Sequence, residues 1–354
     1  MSSRPVVTGH VRPDVVVVGA SAGGVESLRN FIGQLPADLP ALVLVVLHVP
    51  STGSGILSQI LQRVSALPVS LATGEEDLRP GRVVVAPADH HLLVREEGLR
   101  LSRGPRENGH RPSVDVLFRS AARALDQRVI AVVLSGTMDD GTAGAISVEE
   151  RGGLVLVQDP GEAAYPTMPQ SVAANLLRAR TARVVDLAAE VNRICRTAVL
   201  GPETSTPSDV LTLEVELAAM DEATGQGGGR PGVPAGFGCP DCFGSMFQIE
   251  DGGLLRFRCR VGHAWTAAGL LRQQAEAMEG ALWMALRSLE EKAALSRQLA
   301  ERALERGSPL SADRFGQQAD DAAQSADLVR RLIGSAPVSG FSSLLGAEGA
   351  VIDG

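Results

Sequence analysis

Four continuous apolar runs set the strongest limit on what this chain can fold into: Val15–Val18, Ala41–Leu47, Val129–Leu134 and Leu154–Val157. Runs this short and this apolar read as strands covered on both faces. Segments of helical periodicity separate them. The first follows Gly24, and the next carries Ile56, Leu57, Ile60, Leu61 and Val64. Others begin at Ser113 and after Gly141, and two more lie near Pro169–Leu177 and Leu187–Val199. Strand–helix alternation over 14–200 predicts an α/β domain with a doubly wound, mostly parallel sheet. Short strands are expected near Val69–Leu71, Arg82–Ala86, His91–Val94 and Leu99–Leu101, the last two joined as a hairpin. The polar stretch Ser102–Pro112 reads as an exposed loop.

Open parallel sheets form their sites beyond the carboxyl ends of the strands. Three reactive side chains follow apolar strands in this way: Ser21, His48 and Asp140, with Asp139 competing for the acid position. Gly19–Gly23 spells G-x-S-x-G between a strand and a helix, the context of a nucleophile elbow. A sharp turn there lifts a serine hydroxyl out of the sheet, and the following helix offers free N–H groups to an oxyanion. On this stretch alone, a phosphate-binding or chain-reversing turn fits equally well, with Ser21 as a helix cap. His48 supplies a base and a carboxylate its orienting acid. His90 and His91 compete with His48, although they read as a turn entering a strand. The order Ser…His…Asp is not that of α/β-hydrolases, whose acid precedes the histidine. A dinucleotide fingerprint is disfavoured because Ser21 stands where its second glycine belongs, and no Gly-Lys-Ser/Thr follows to make a P-loop.

Composition narrows the class. A net charge of −8 and 3% aromatic residues argue against nucleic-acid partners. Ala41–Leu47 is too short to cross a bilayer, so no direct membrane insertion is expected. Met1–Asp14 lacks the apolar core of a secretion signal, and three of the four cysteines cluster late. Both features point to a cytoplasmic protein with a metal site instead of a disulfide framework.

Several separated stretches resemble the CheB protein-glutamate methylesterase family of bacterial chemotaxis. They are Val18–Gly24, Leu47-His48-Val49-Pro50, Val84–His91, Leu134–Gly141, Gln158-Asp159 and Met168-Pro169, in the family's order over about residues 12–200. The resemblance implies a serine hydrolase that demethylates glutamyl methyl esters of methyl-accepting receptor-like proteins and deamidates glutamines. Ser21 would be its nucleophile, His48 its base and Asp140 its acid, with no catalytic cofactor. Two positions depart from the family pattern. Ala22 follows the serine where threonine is common, and Ser135, Thr137 and Met138 replace Thr, Met and Gly of the acid loop. The family's loop methionine serves the oxyanion hole through its backbone N–H, so Ala22 and Thr137 are the donors expected here. Only about a dozen residues precede the first strand, so control by an attached phospho-receiver is not expected. A methyltransferase or a separate response regulator of the same pathway is the expected partner. The alternative reading is a weakly active or inactive regulatory scaffold.

Beyond residue 200 the composition changes. Residues 201–238 read as a Gly/Pro/Ser/Thr-rich linker with a short ordered piece at Val210–Met220. Cys239 and Cys242, then Cys259 and His263, give C-x2-C and C-x3-H half-sites of a zinc-ribbon-like module over 239–266, whose ligand types suit a structural zinc ion. Cys195 lies outside this set, as a core residue. A helical hairpin is expected over 267–335, with Leu282, Leu286, Leu289, Ala293 and Leu299 on its apolar face, and both Trp265 and Trp283 packed. Residues 1–13 and 336–354 read as flexible ends.

Overall fold

A computed structural model describes residues 10–48, 55–197, 199–200, 206–220, 232–251 and 253–335. Residues 1–9, Val49-Pro50 of the His48 motif, parts of the expected linker (201–205 and 221–231) and the expected tail over 336–354 lie outside the described residues. The strands in chain order begin with β1 (His10–Val11), β2 (Val15–Ala20), β3 (Leu42–Leu47), β4 (Val69–Leu71) and β5 (Arg82–Val85). Then come β6 (His91–Arg95), β7 (Gly98–Ser102), β8 (Val129–Val133), β9 (Leu154–Gln158), β10 (Arg180–Ala182) and β11 (Val199–Leu200). The accompanying helices are α1 (Gly24–Gly33), α2 (Ile56–Gln62), α3 (Val114–Leu125), α4 (Thr142–Glu150), α5 (Thr167–Asn175) and α6 (Val184–Arg196).

Seven strands form one sheet in the order β10-β9-β8-β2-β3-β5-β4, and every pairing in it is parallel. The doubly wound expectation holds, and its cause is the alternation of side chains along each strand. Val15 and Val17 join Leu117, Phe118 and Ile146 in a core under α3, α4 and α5. Val16 and Val18 join Leu28, Phe31, Leu61 and Leu187 in the core under α1, α2 and α6. Both faces are covered, so each run must be apolar throughout. The chain runs outward from β2 through β3 and later returns to β8 on the other side of β2. That reversal makes a topological switch point beside β2, where such sheets carry their sites. The pattern predicts no strand over 178–182, yet Arg180–Ala182 pairs with β9 at the sheet edge, too polar and short to stand out in the sequence.

Residues 1–270 form one compact unit and 271–354 a second. The first unit also contains α7 (Asp209–Ala219) and an antiparallel four-stranded sheet, β12 (Val233–Gly238), β13 (Ser245–Asp251), β14 (Leu254–Cys259) and β15 (Ala264–Thr266). Its first strand lies inside the stretch read as linker. Two long helices follow, α8 (Ala267–Glu305) and α9 (Pro309–Ser335). Within the second unit Arg330 reaches Glu290 at 2.5 Å across the short Arg306–Ser308 connection, which makes the two helices antiparallel. Their buried positions are mostly small: Leu286, Ala293, Ala303, Ala312, Ala319, Ala322 and Ala326. Trp265 is buried as expected, but Trp283 is 52% exposed, with its indole N–H on Glu279 of the same exposed helix face.

Candidate active site

Ser21 follows β2 and His48 follows β3, so neighbouring strands deliver them side by side. Ser21 N–H donates to the Ser135 carbonyl at 3.0 Å, which ties the elbow to the loop after β8. The turn closes through Gly24 N–H to the Ser21 carbonyl at 2.9 Å. Gly23 takes φ 69°, and a Cβ there would meet Ser135 Oγ at 2.8 Å, so this position needs glycine. Gly19 is required for a different reason. A Cβ would come within 2.2 Å of Val114 Cγ1, where the start of α3 passes over the strand end.

The structure brings Ser21, His48 and Asp140 together. His48 Nδ1 lies 3.1 Å from Ser21 Oγ, and His48 Nε2 lies 2.7 Å from Asp140 Oδ2. An ionised carboxylate only accepts, so Nε2 carries the imidazole proton and Nδ1 offers its lone pair to the serine. The ring is turned relative to the serine-protease arrangement, in which Nδ1 faces the acid. Either nitrogen can act as the base, so the chemistry is the same. Asp139 goes elsewhere and accepts the Thr266 hydroxyl at 3.0 Å. Of the competing histidines, His90 bonds the Ala88 carbonyl. His91 is buried between the Pro105 carbonyl at 2.9 Å and the Ser113 N–H at 3.2 Å.

Asp140 sits at the N-terminus of α3. Its Oδ2 accepts Val114 N–H at 2.8 Å. Its Oδ1 accepts the Ser113 hydroxyl at 2.9 Å, Asp115 N–H at 3.3 Å and Asn108 Nδ2 at 3.4 Å. A helix N-terminus favours an anion through its free N–H groups and its dipole. Burial opposes ionisation of this carboxyl, but the His48 hydrogen bond, the His48 and His110 charges and Val114 N–H outweigh it and hold the group far below the usual range. Neighbouring Asp115 is pushed the other way, by burial and by the charge of Asp140. Its Oδ1 accepts Gly141 N–H at 3.0 Å and Gly144 N–H at 2.7 Å, fixing the start of α4. The His110 ring stacks on His48 with centroids 3.7 Å apart and planes at 12°.

The loop after β8 lies against the serine, with a Cβ on Gly136 falling 3.0 Å from Ser21 Cβ. Its Gly136 N–H goes to the Tyr165 carbonyl at 2.9 Å and its Met138 N–H to Thr167 Oγ1 at 2.9 Å. Among the described residues, the N–H groups of Ala22 and Thr137 have no protein acceptor. Met138 holds φ 68° at the position where glycine was expected from the resemblance, so the left-handed backbone is kept without glycine.

A family model described as CheB methylesterase matches residues 16–191. Protein-glutamate methylesterase/protein-glutamine glutaminase 5 of Myxococcus xanthus is 39% identical over 175 residues, 48% of this chain and 50% of that protein. The corresponding protein 2 of Methanosarcina mazei is 38% identical over 191 residues, 52% of each chain. The crystal structure of the Thermotoga maritima CheB methylesterase catalytic domain is 32% identical with a TM-score of 0.50, covering 52% of this chain and 99% of that one. The chain belongs to the CheB methylesterase family. It spans about half the length of the curated relatives it matches. The CheB span contains Ser21, His48 and Asp140, and also Asn108, His110 and Ser113, which sequence reasoning missed as site residues. Ser113 had a signal, since it was legible as a helix start. Asn108 and His110 lay in the stretch expected to be exposed. That expectation is corrected, because Glu107 and Asn108 are buried under β15.

The cysteine cluster lies beyond the CheB span. Cys239, Cys242, Cys259 and His263 present ligand atoms within 4.8 Å of one another, so this set could hold a metal. Cys242 Sγ lies 3.7 Å from Cys259 Sγ, and His263 Nδ1 lies 3.7 Å from Cys239 Sγ and 3.6 Å from Cys259 Sγ. Zinc–ligand bonds of tetrahedral length predict edges of about 3.6–3.8 Å. Cys195 is buried in α6, apart from the set. Among the described residues, no helix is long and apolar enough to cross a membrane.

Proposed function

We propose that this chain is a serine hydrolase that removes methyl groups from glutamyl methyl esters of a receptor-like protein and deamidates glutamine side chains. The observation that carries the reading is the unbroken path Ser21 Oγ, His48, Asp140, with the acid buried at a helix start. The printed names of the relatives support the glutamyl ester and amide as substrates. His48 Nδ1 takes the hydroxyl proton as Ser21 Oγ attacks the ester carbonyl. The oxyanion is received by the N–H groups of Ala22 and Thr137. Asp140 stabilises the imidazolium, which then protonates the departing methoxide as methanol leaves. Water, deprotonated by His48, opens the acyl-enzyme to free glutamate and restores Ser21.

Three cysteines and a histidine, at spacings that suit a tetrahedral ion, support a structural zinc site closed to substrate. When bound, zinc would supply folding energy and no chemistry. Thiolate ligands favour a reducing compartment, here the cytoplasm. The proposed organisation is a methylesterase domain over 14–200, a connecting stretch over 201–238 that carries α7 and β12, a zinc-ribbon-like module over 239–266 whose sheet β12 completes, and a helical hairpin over 267–335. A methyltransferase or response regulator of the same pathway is the proposed partner.

Methanol release from a methylated receptor tests the function, and Ser21→Ala should abolish it. Unchanged release in that variant overturns the nucleophile. Thr137→Pro, which removes one oxyanion donor, should cost on the order of a hundred- to a thousandfold in kcat. A fluorophosphonate that fails to label Ser21 would favour the inactive regulatory alternative. Metal analysis of the full chain should return zinc, lost on Cys259→Ser.

A further inference from the structure

The polar stretch between β7 and α3 contains a tight turn that touches both halves of the first unit. His110 N–H donates to the Glu107 carbonyl at 2.8 Å and Glu107 N–H to the His110 carbonyl at 3.2 Å. The residues between them, Asn108 and Gly109, have φ 50° and 77°. Two central residues at positive φ, in the order Asn-Gly, are the mark of a primed two-residue turn. Its side chains diverge. His110 stacks on His48. Glu107 pairs with Arg119 and, at 2.9 Å, with Arg258 on β14. Asn108 divides its amide between the cysteine module and the acid.

The strand immediately after His263 holds that turn. Asn108 N–H donates to the Ala264 carbonyl at 2.8 Å, and Ala264 N–H donates to the Arg106 carbonyl at 3.3 Å. Thr266 N–H donates to Asn108 Oδ1 at 2.9 Å. With Oδ1 so occupied, the amide has one orientation. Its Nδ2 faces the carboxylates of Asp140 and Asp115, each at 3.4 Å. The Thr266 hydroxyl accepts Gly269 N–H at 3.0 Å as the cap of α8, which directs its own proton to Asp139. Adjacent carboxylates of the acid loop therefore each bond a group that β15 supplies or orients. Asn108 is 6% exposed and Thr266 1%.

We propose that Asn108 and Thr266 are positioning residues for the acid loop, so that the cysteine module forms a working part of the active site. This rests on the serine-hydrolase reading above. Asn108 is a neutral donor to an anion. Without it Asp140 becomes more basic, His48 holds its proton more tightly, and the acid limb of the pH–rate profile moves to higher pH. Thr266 sets the neighbouring residue of the same loop and acts on its geometry.

The test uses the full-length chain and the rate of fluorophosphonate labelling at Ser21 across pH. In parallel, proton NMR follows the low-field resonance of the His48–Asp140 hydrogen bond. Asn108→Leu and Thr266→Val should each slow labelling by about tenfold, the loss expected from one hydrogen bond to a charged group. Asn108→Leu should also raise the acid limb, and both variants should displace the low-field proton. Thr266→Ser keeps the hydroxyl and should restore both readouts. If both variants match the wild type while Ser21→Ala is silent, the hydrolase reading stands and the positioning role is overturned. Slower labelling with an unmoved low-field proton overturns it as well, since that is general loss of structure. A wild type that never labels removes the hydrolase reading, and the positioning role with it.

Discussion

Two buried carboxylates in the first unit are held by opposite means. Asp140 and Glu214 are each 1% exposed. Asp140 accepts neutral donors and the His48 imidazole, with the His110 ring beyond it. Glu214, on α7, is surrounded by guanidinium groups, with Arg258 at 2.7 Å, Arg256 at 2.9 Å and Arg119 at 3.5 Å. Burial works against the charge at both sites, and both carboxyls are nonetheless held far below the usual range. A carboxylate already matched by arginines has little field left for another cation. One held by dipoles keeps its charge available for the imidazolium that the proposed mechanism places on His48. Dipoles thus suit the chemical site, and ion pairs suit the clamp joining α3, α7 and β14.

The sharpest way to break this comparison is to neutralise each carboxylate in turn. Asp140→Asn should lower kcat on the order of ten-thousand-fold through loss of the correct tautomer, with the fold retained by circular dichroism. Glu214→Gln should instead cost about 3–5 kcal/mol in denaturant unfolding, because it leaves three buried arginines sharing the single charge of Glu107. Should Glu214→Gln leave stability untouched, the clamp reading fails.

His91 sharpens the comparison through pH. It supports Ser113, and burial pushes its pKa from 6.5 down to about 4. The neutral form is thus favoured in the folded state. Its contribution is complete above about pH 6.5 and lost as pH falls to about 4, roughly 3 kcal/mol in all. Asp115, whose carboxyl is raised by burial and Asp140, titrates in the opposite sense. The quantity to measure is therefore the pH slope that His91→Gln removes. The smallest effect is expected at Gly19. A methyl group there meets Val114, whose N–H holds Asp140, so Gly19→Ala should cost about 1–3 kcal/mol by overpacking. Its kcat should fall further than its Tm suggests.

Much of this was legible in the chain. The apolar runs fixed the strands because a strand buried on both faces has no room for a polar residue. Ser21, His48 and Asp140 were visible because each closely follows such a run. The remainder was not legible because local pattern says nothing about cover. Glu107-Asn108-Gly109-His110 has the composition of a solvated loop, yet Glu107 pairs with Arg258, 151 residues away. Trp265 and Trp283 are the same residue with opposite fates.

The sequence by itself therefore determined the parallel sheet, its two apolar faces, the reactive residues at the strand ends and the grouping of three cysteines with a histidine. These follow from periodicity and spacing, which are properties of covalent neighbours. Only the tertiary structure decided that Asp140 and not Asp139 faces His48, that His91 is a buried support for Ser113, and that β15 closes over the Asn108 turn. Each of those depends on which distant segment displaces water from a polar group, and hydrogen-bond geometry across the fold selects one partner for it.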